Sequence, residues 1–468
     1  MRLRTLLPLA FALTFLTAPS GWAAQPTPDA RAWLRSGPMP GIADIQGAVL
    51  WLQTQDRRSV VVRYWPEGEP EAARLTAPFE TDAEGDHIAK IALSALRFGS
   101  VYHYELYLDG HRVASPNADE PWRFQTQEMW RWRHDPPSFT FAIGSCSYIN
   151  DAPFDRPGRP YGSEFEIFDQ IADQDPAFML WLGDNVYLKD ADWLSAQGVR
   201  YRYAQNRELP ELQRLLSATH HIAIWDDHDY GPDNSDRTYP FRTESLQTFV
   251  DYWANPPMGT LETPGAFGRF EWHDVEFFLL DNRFHRSPSR WPDGPDKEMY
   301  GEAQMRWLKE SLVSSKATFK VVVGGNQFLN AMLYDRSWQE MWEMFPHEKQ
   351  DFLSFLADNR VEGVLFLSGD RHHTELLRLE REGLYPLYEF TSSSLTAGTA
   401  YPKKETDNPL RVPDTWVTYQ HNFGLITVEG PKDDRALVLR TLKPDGTELW
   451  SHHITRAELS VSAPPETE

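Results

Sequence analysis

In AFMLWLGDNVY at 177–187, an apolar run of strand length ends in a glycine followed by polar side chains. Apolar runs that end in polar side chains recur in FTFAIGSC at 139–146, HIAIWDDHD at 221–229, VEFFLLDNR at 275–283, TFKVVVGGNQ at 318–327 and VEGVLFLSGDRHH at 361–373, and all but the second and third of these five contain the glycine. Helix-patterned stretches such as SEFEIFDQIAD and EAQMRWLKESLVSS lie between them, so strands and helices alternate. We therefore predict an α/β domain over 138–457.

The polar residues after these strands indicate one shared site. In α/β sheets a ligand site forms at the carboxyl ends of the strands. The strand ends supply a thiolate, a phenolate, carboxylates and imidazoles: Cys146, Asp184, Tyr187, Asp227, His228, Asp370 and His372. Thiolate and phenolate favour iron, whereas carboxylates alone suit calcium, magnesium or manganese. The set predicts a trivalent or borderline metal beside a hard, oxygen-preferring one.

The first part of the chain has a different sequence pattern. Short alternating segments such as GAVLWLQT, SVVVRYW, HIAKIAL and VYHYELYLDG are separated by Gly, Pro and Asp. This pattern is typical of a β-sandwich. Tyrosines beside a Gly-containing turn in ALRFGSVYHYELYLDG are typical of fibronectin-type modules. We predict a small all-β domain of the fibronectin or Ig-like kind over 30–127, joined by a linker at 130–137.

The two ends of the chain carry separate signals. Arg2 and Arg4, an apolar run and the small residues Gly21 and Ala23 predict a secretory signal peptide over 1–23. A membrane anchor is the weaker alternative, because the run is well short of ~20 residues. We expect export to the periplasm or the extracellular space. The Pro- and Glu-containing end, 458–468, is predicted to be disordered.

Composition and charge exclude several classes of protein. With 468 residues, two or more domains are expected. A net charge of −22 excludes nucleic-acid binding by bulk charge, and no later apolar stretch is long enough to span a membrane. Cys146 is the only cysteine, so no internal disulfide stabilises the chain. We expect a monomer.

In order along the chain, SGPMPG, GSC, GDNVY, WDDHDYGPDN, LDNRFHR, GGNQ and SGDRHH resemble the markers of the PhoD-like alkaline phosphatase and phosphodiesterase family. This family is a branch of the calcineurin-like metallophosphatases, and the resemblance covers nearly the whole chain after the leader. It implies an N-terminal β-sandwich followed by an αββα metallophosphatase sandwich of mixed sheets.

The resemblance also implies roles for the site residues. It places Cys146, Asp184, Tyr187 and His372 around ferric iron, with Asp184 bridging to a second metal. That metal, calcium or another divalent ion, would be bound by Asp227 and Asp370. His228 takes the place of the catalytic histidine and Arg283 that of a phosphate-binding arginine, while the roles of Asn326, Gln327 and Asp229 stay open.

The predicted function is hydrolysis of small-molecule or lipid phosphate esters by a secreted phosphomonoesterase or phosphodiesterase. A hydroxide bridging the metals attacks phosphorus, and His228 protonates the leaving group. The alternatives are a phospholipase D-type phosphodiesterase and a non-catalytic extracellular binding protein on the same scaffold. A serine esterase using Ser392 to Ser394 is disfavoured because no G-x-S-x-G motif surrounds them.

Overall fold

The structure is a computed structural model that describes residues 28–115, 121–335 and 339–461. The predicted signal peptide, 1–23, lies outside the described residues. Within the described part of the chain, no helix is both long and apolar enough to cross a bilayer.

The N-terminal part contains antiparallel strands that follow a short helix. The elements are α1 (Pro28–Ala32), β1 (Leu34–Ala43), β2 (Ala48–Thr54), β3 (Ser59–Pro66), β4 (Arg74–Leu75), β5 (Phe79–Glu80), β6 (Ile88–Leu93), β7 (Val101–Leu108), β8 (His111–Arg112) and β9 (Trp122–Gln125). One sheet has the order β1-β2-β6, and the other has the order β4-β3-β7-β8, with β5 on β3 and β9 on β7.

Both N-terminal sheets share one hydrophobic core, as the alternating sequence pattern predicts. Leu50 and Leu52 of the first sheet and Val60 and Tyr104 of the second are completely buried in it. Tyr102 accepts a hydrogen bond at its hydroxyl from the backbone N–H of Arg97 (2.8 Å). This side chain braces the turn before its own strand, as tyrosines do in fibronectin-type modules. The fibronectin or Ig-like topology itself stays a prediction.

The second part of the chain alternates strands and helices. Its strands are β10 (Phe139–Gly144), β11 (Phe178–Leu182), β12 (His220–Ile224), β13 (Gly268–Trp272), β14 (Val275–Leu279), β15 (Phe319–Gly324), β16 (Val364–Ser368), β17 (Glu375–Leu379), β18 (Leu387–Thr391), β19 (Phe423–Glu429), β20 (Ala436–Leu442) and β21 (Glu448–Thr455). Its helices are α2 (Glu166–Asp173), α3 (Ala196–Arg207), α4 (Pro210–Ala218), α5 (Asp227–Tyr230), α6 (Arg242–Tyr252), α7 (Glu302–Ser314) and α8 (Pro346–Asp358).

These strands form two six-stranded mixed sheets. The first has the order β12-β11-β10-β19-β20-β21, and the second β13-β14-β15-β16-β18-β17. Strands β10, β11 and β12 are parallel, as are β14, β15, β16 and β18. The mixed α/β fold is therefore confirmed. Strands β20 and β21 form an antiparallel hairpin whose turn contains Gly446 at φ 81°.

The two sheets pack face to face with helices outside. Phe141 and Phe178 of the first sheet contact Phe277 of the second, with ring centroids 5.2 and 5.4 Å apart. The other face of the first sheet, with Met179 and Trp181, packs against α2, α3, α4 and α6 in a separate core. On the second sheet, Phe352 of α8 contacts Phe366 of β16.

The N-terminal sheets pack tightly on the second part. The segment SGPMPG lies in β1, where the Ser36 hydroxyl donates to the carbonyl of Arg207 (2.7 Å). The backbone N–H of Gly37 donates to Gln213 (3.1 Å). Gly41 lies so close to Ala254 that no side chain fits there. This motif therefore docks one part of the chain onto the other.

The prediction of disorder from residue 458 is wrong for its first residues. Leu459 is completely buried, and its carbonyl accepts a hydrogen bond from the N–H of Gly363 (2.9 Å). The backbone N–H of Val461 donates to Glu362 (2.9 Å). An apolar anchor thus holds 458–461 on the fold, while residues 462–468 lie outside the described part of the chain.

Candidate metal centre

The carboxyl ends of both six-stranded sheets meet at one edge. Strand β16 ends at Ser368, and a Cβ added to the next residue, Gly369, would lie 2.5 Å from the carbonyl oxygen of Leu182 and 2.6 Å from the Cβ of Ser145. Leu182 ends β11 and Ser145 follows β10 in the opposite sheet. A glycine between two backbones thus brings the polar strand ends together.

One group of candidate ligands joins Cys146, Asp184 and His372. One donor atom from each lies within 4.8 Å of the other two. The Cys146 sulfur is 3.6 Å from Asp184 Oδ2, and the Tyr187 hydroxyl donates to the same oxygen (3.1 Å). All four residues that the family resemblance assigns to a ferric site are therefore neighbours.

A second group joins Asp184, Asp227 and His228, again within 4.8 Å of one another. Asp184 belongs to both groups, so its carboxylate would be shared by cations bound at the two of them. The Asp227 carboxylate accepts a hydrogen bond from the backbone N–H of Asn234 (2.6 Å). Asp370, predicted to bind the second metal, follows the adjoining strand end but belongs to neither group.

The tautomer of His372 suits a metal ligand. Its Nδ1 is hydrogen-bonded to the carbonyl of Gly398. A carbonyl can only accept, so Nδ1 carries the proton and Nε2 keeps a lone pair for a cation.

Several of these residues hold unusual backbone conformations. Cys146, Asp184, Asp370 and His372 have φ values of 58°, 52°, 68° and 54°. This left-handed region costs a non-glycine residue roughly 1–2 kcal/mol. Four strained residues at one edge mark it as a functional site, where such strain is retained.

The electrostatics of the cluster call for cations. Burial raises the pKa of the Cys146 thiol to about 11, and the charge of Asp370 adds to that effect. Burial and the neighbouring charge of Asp227 raise the pKa of Asp184, and burial with the charge of Asp226 raises that of Asp370. Bound cations would reverse this field and keep the ligands ionised. The donor set of thiol, phenol, imidazole and carboxylates therefore fits two unlike metals.

Asp226 and Asp229 support the cluster rather than face it. Asp229 accepts hydrogen bonds from the backbone N–H groups of Asn185 (3.0 Å), Val186 (3.1 Å) and Asp226 (2.9 Å), so it holds two strand-end loops together. Asp226 accepts from Asn282 (2.8 Å) and from Asn326 (3.0 Å), which links the two sheets.

The two polar residues after β15 point in different directions. Asn326 lies beside Asp226, whereas the Gln327 side chain donates to Glu375 (2.8 Å) and Thr391 (2.9 Å). Gln327 therefore belongs to a network behind the candidate ligands.

Arg283 is completely buried and pairs with two carboxylates. Its guanidinium donates to Asp226 (2.6 Å) and forms two hydrogen bonds with Glu340 (2.6 and 3.0 Å). A third acceptor is Asn326 (3.3 Å). This arrangement gives no support to the prediction that Arg283 binds phosphate, because its donors are already used.

A further buried group, His373, Glu375 and Glu405, also has metal-ligand spacing. Glu375 is paired with Arg411 (2.7 Å), and Glu405 with Arg371. Because two arginines neutralise its carboxylates, we interpret this group as an ion-pair network.

Sequence reasoning missed two residues at this edge. Glu340, the partner of Arg283, lies outside the strands in a region with no periodic signal. Tyr161 lies in the loop after β10, yet its hydroxyl is 3.4 Å from Nδ1 of His372. Only a tyrosine beside a glycine in PYGSE marked that loop.

The chain resembles known proteins in both sequence and structure. A family model described as PhoD-like phosphatase matches residues 141–434, and one described as a domain of unknown function (DUF7800) matches 31–128. Alkaline phosphatase D of Bacillus subtilis (strain 168) is 21% identical over 372 residues, which cover 69% of this chain. The chain spans 60% of the length of that relative.

Two solved structures share the fold. A structure of PhoD superposes with a TM-score of 0.71 at 17% identity, over 92% of this chain and 90% of that one. Purple acid phosphatase PPD1 from yellow lupin (Lupinus luteus) seeds superposes with a TM-score of 0.61 at 13% identity, over 92% of this chain and 77% of that one. At these identities the likeness is one of fold.

Proposed function

The chain belongs to the PhoD-like phosphatase family, and from this premise we propose that it is a metal-dependent hydrolase of phosphate esters. The observation that carries the proposal is Asp184, which is shared by two groups of metal-type ligands. We propose that Cys146, Tyr187 and His372 hold ferric iron together with Asp184. Asp227 of the second group, and Asp370, which belongs to neither group, would hold calcium or another divalent ion with Asp184.

The two cations, when bound, neutralise charge on the phosphate and acidify a water molecule. Other residues of the chain hold the candidate ligands in position. His372 is held by Gly398 through Nδ1, and Asp229 fixes the loop that carries Asp184 and Tyr187.

His228 is proposed as the general acid. Its Nε2 is 3.6 Å from Asp233 Oδ1, and Nδ1 has no hydrogen-bond partner among the described residues. Its side chain is 21% exposed at the cluster's outer side. An imidazole with solvent access, an acidic neighbour and a free ring nitrogen is suited to protonating a leaving alkoxide.

We also propose that the protein is exported and that its N-terminal sheets are of the fibronectin or Ig-like kind. The leader pattern in 1–23 and the Tyr102 brace support these two points. Mass analysis of the secreted protein tests the first, since an N-terminus at Ala24 is expected.

The test of the main proposal is elemental analysis of protein purified without added metal, followed by a panel of phosphate monoesters, diesters and phospholipids. Two unlike metals per chain are expected, with a visible charge-transfer band from Tyr187 on ferric iron. Asp184→Ala should empty both sites and abolish hydrolysis, whereas Asp190→Ala at a neighbouring exposed position should change neither. Full activity without metal, or a single zinc per chain, would contradict the proposal.

A further inference from the structure

Tyr161 forms the outer wall of the candidate metal centre. It lies in the loop between β10 and α2, and its side chain is 49% exposed. Its ring centroid lies 4.9 Å from that of Tyr148, 6.5 Å from Tyr187 and 6.1 Å from His372. One face of the phenol therefore covers two candidate ligands while the rest is open to solvent.

The loop is held in this position by its own contacts. The Asn150 side chain donates to the carbonyl of Gly162 (3.0 Å) and accepts from its N–H (2.9 Å). The N–H of Ser163 donates to the carbonyl of Thr396 (2.7 Å). A Cβ at Gly398 would lie 2.7 Å from the Tyr161 ring, so only glycine permits this contact. Tyr161 is thus positioned before any ligand arrives.

The Tyr161 hydroxyl proton lacks an acceptor among the described residues. Among the described residues, its one hydrogen-bond contact is with Nδ1 of His372, at 3.4 Å. That nitrogen already donates its hydrogen to the carbonyl of Gly398, so it cannot accept another. A phenol beside a candidate metal site, with its proton free, is suited to donating a hydrogen bond to an anionic oxygen.

We propose that Tyr161 contacts the substrate directly. Its hydroxyl donates a hydrogen bond to an oxygen of the phosphate held at the metal centre, and the exposed part of its ring contacts the alcohol portion of the ester. This inference rests on the proposed function, because it needs a phosphate bound beside Cys146, Asp184 and His372.

The test compares Tyr161→Phe with Tyr161→Ala in the metal-loaded protein. Phe keeps the ring and removes the donor, so kcat/KM should fall about 10- to 100-fold for all esters, the worth of a hydrogen bond to a charged group. Binding of inorganic phosphate, measured by calorimetry, should weaken in the same direction. Ala also removes the ring, so KM should rise further for an ester of a bulky aromatic alcohol than for methyl phosphate.

Tyr201→Phe is the matched control, since Tyr201 lies on α3 and is similarly exposed at 47%. It should leave phosphate binding and activity unchanged. Metal content should be unchanged in Tyr161→Phe, and loss of metal there would overturn the inference in favour of a structural role. Wild-type kinetics and phosphate binding in Tyr161→Phe would also overturn it. Absence of ester hydrolysis by the metal-loaded wild type would instead refute the proposed function.

Discussion

At the scale of single residues, the role of Arg283 has two interpretations: it binds phosphate, or it forms a buried ion pair. The resemblance in LDNRFHR assigns it to phosphate, whereas its guanidinium is buried between Asp226 and Glu340. Arginine suits both tasks, because its planar fork pairs with carboxylate and phosphate alike. The two interpretations predict different consequences of removing the charge.

We expect Arg283→Met to destabilise the fold. Breaking a buried ion pair leaves carboxylates uncompensated, so the free energy of unfolding should fall by about 3–5 kcal/mol, measured by urea denaturation. Arg214→Met, which removes an exposed pair with Asp169 and Asp173, should cost about 0–1 kcal/mol. If Arg283→Met kept wild-type stability but its ester hydrolysis were no longer inhibited by inorganic phosphate, the phosphate-binding interpretation would be right.

His228 also allows two roles, because it lies in a ligand group with Asp184 and Asp227. As a general acid, His228→Ala should keep its metals and lose roughly 10²–10⁴-fold in turnover. Esters of aliphatic alcohols should lose most, because nitrophenolate leaves without a proton. The measurement is kcat on both ester types together with metal content. Equal losses on both, with metal release, would identify His228 as a ligand.

At the scale of elements, the site depends on how closely two strand ends approach. Gly369 joins β16 to Asp370 and contacts Leu182 and Ser145 of the opposite sheet. The contacts are with backbone and with a short side chain, so neither can move aside cheaply. The separation of the sheets at this point therefore sets the separation of the ligands.

We expect Gly369→Ala to disturb both stability and metal binding. Overpacking of this kind costs about 1–3 kcal/mol and pushes Asp370 away from Asp184. Thermal unfolding and elemental analysis measure the two effects. Gly294→Ala is the control, because a Cβ there meets no atom within 4 Å. Full metal content in Gly369→Ala would show that the ligands tolerate a shift of the strand end.

At the scale of the whole molecule, buried histidines affect how the stability of the protein responds to pH. His221 in β12 accepts a hydrogen bond from Trp181 (3.0 Å), and its other ring nitrogen bonds to the carbonyl of Leu215 in α4 (3.0 Å). The neighbouring His220 contacts the carbonyl of Gly41 in the N-terminal part (2.7 Å). Burial lowers the pKa of His221 to about 3.

The sign of the pH effect follows from that lowered pKa. Between about pH 6.5 and pH 3 the unfolded chain binds a proton that folded His221 does not, so this group destabilises the fold as pH falls. Burial also raises the pKa of Glu348 and Glu389 to about 7 each, and those groups act in the opposite direction. The contribution of His221 is therefore measured as a difference in unfolding free energy between wild type and a His221 variant.

We expect the free energy of unfolding of wild type, relative to that of His221→Gln, to fall by about 2 kcal/mol from pH 7 to pH 5. Gln cannot be protonated, so the variant does not lose the unfolding free energy that wild type loses when the histidine of the unfolded chain binds a proton. Urea denaturation at the two pH values measures the change. His347→Gln, at an exposed position on α8, should show no such trend, and a pH-independent difference for His221→Gln would contradict the argument.

Sequence patterns are sufficient to predict the alternation of strands and helices, the β-rich N-terminal part and the types of residue at the strand ends. These features are local, because an apolar run and the polar residues that end it lie within about ten residues of each other. Since parallel strands place their carboxyl ends at one edge, the polar residues after them could be assigned to one site. The grouping of Cys146, Asp184, Tyr187 and His372 came from the family resemblance.

The packed fold is needed to tell which of these polar side chains face the site and which support it. Arg283 and Glu340 are 57 positions apart, and Tyr161 and His372 are 211 apart. Such contacts depend on the facing of two sheets and on left-handed φ values at Asp184 and Asp370, which orient each side chain after its strand ends. Sequence periodicity does not encode the separation of the two sheets or the orientation of a side chain after its strand. The partners of Arg283 and the position of Tyr161 therefore follow only from the packed fold.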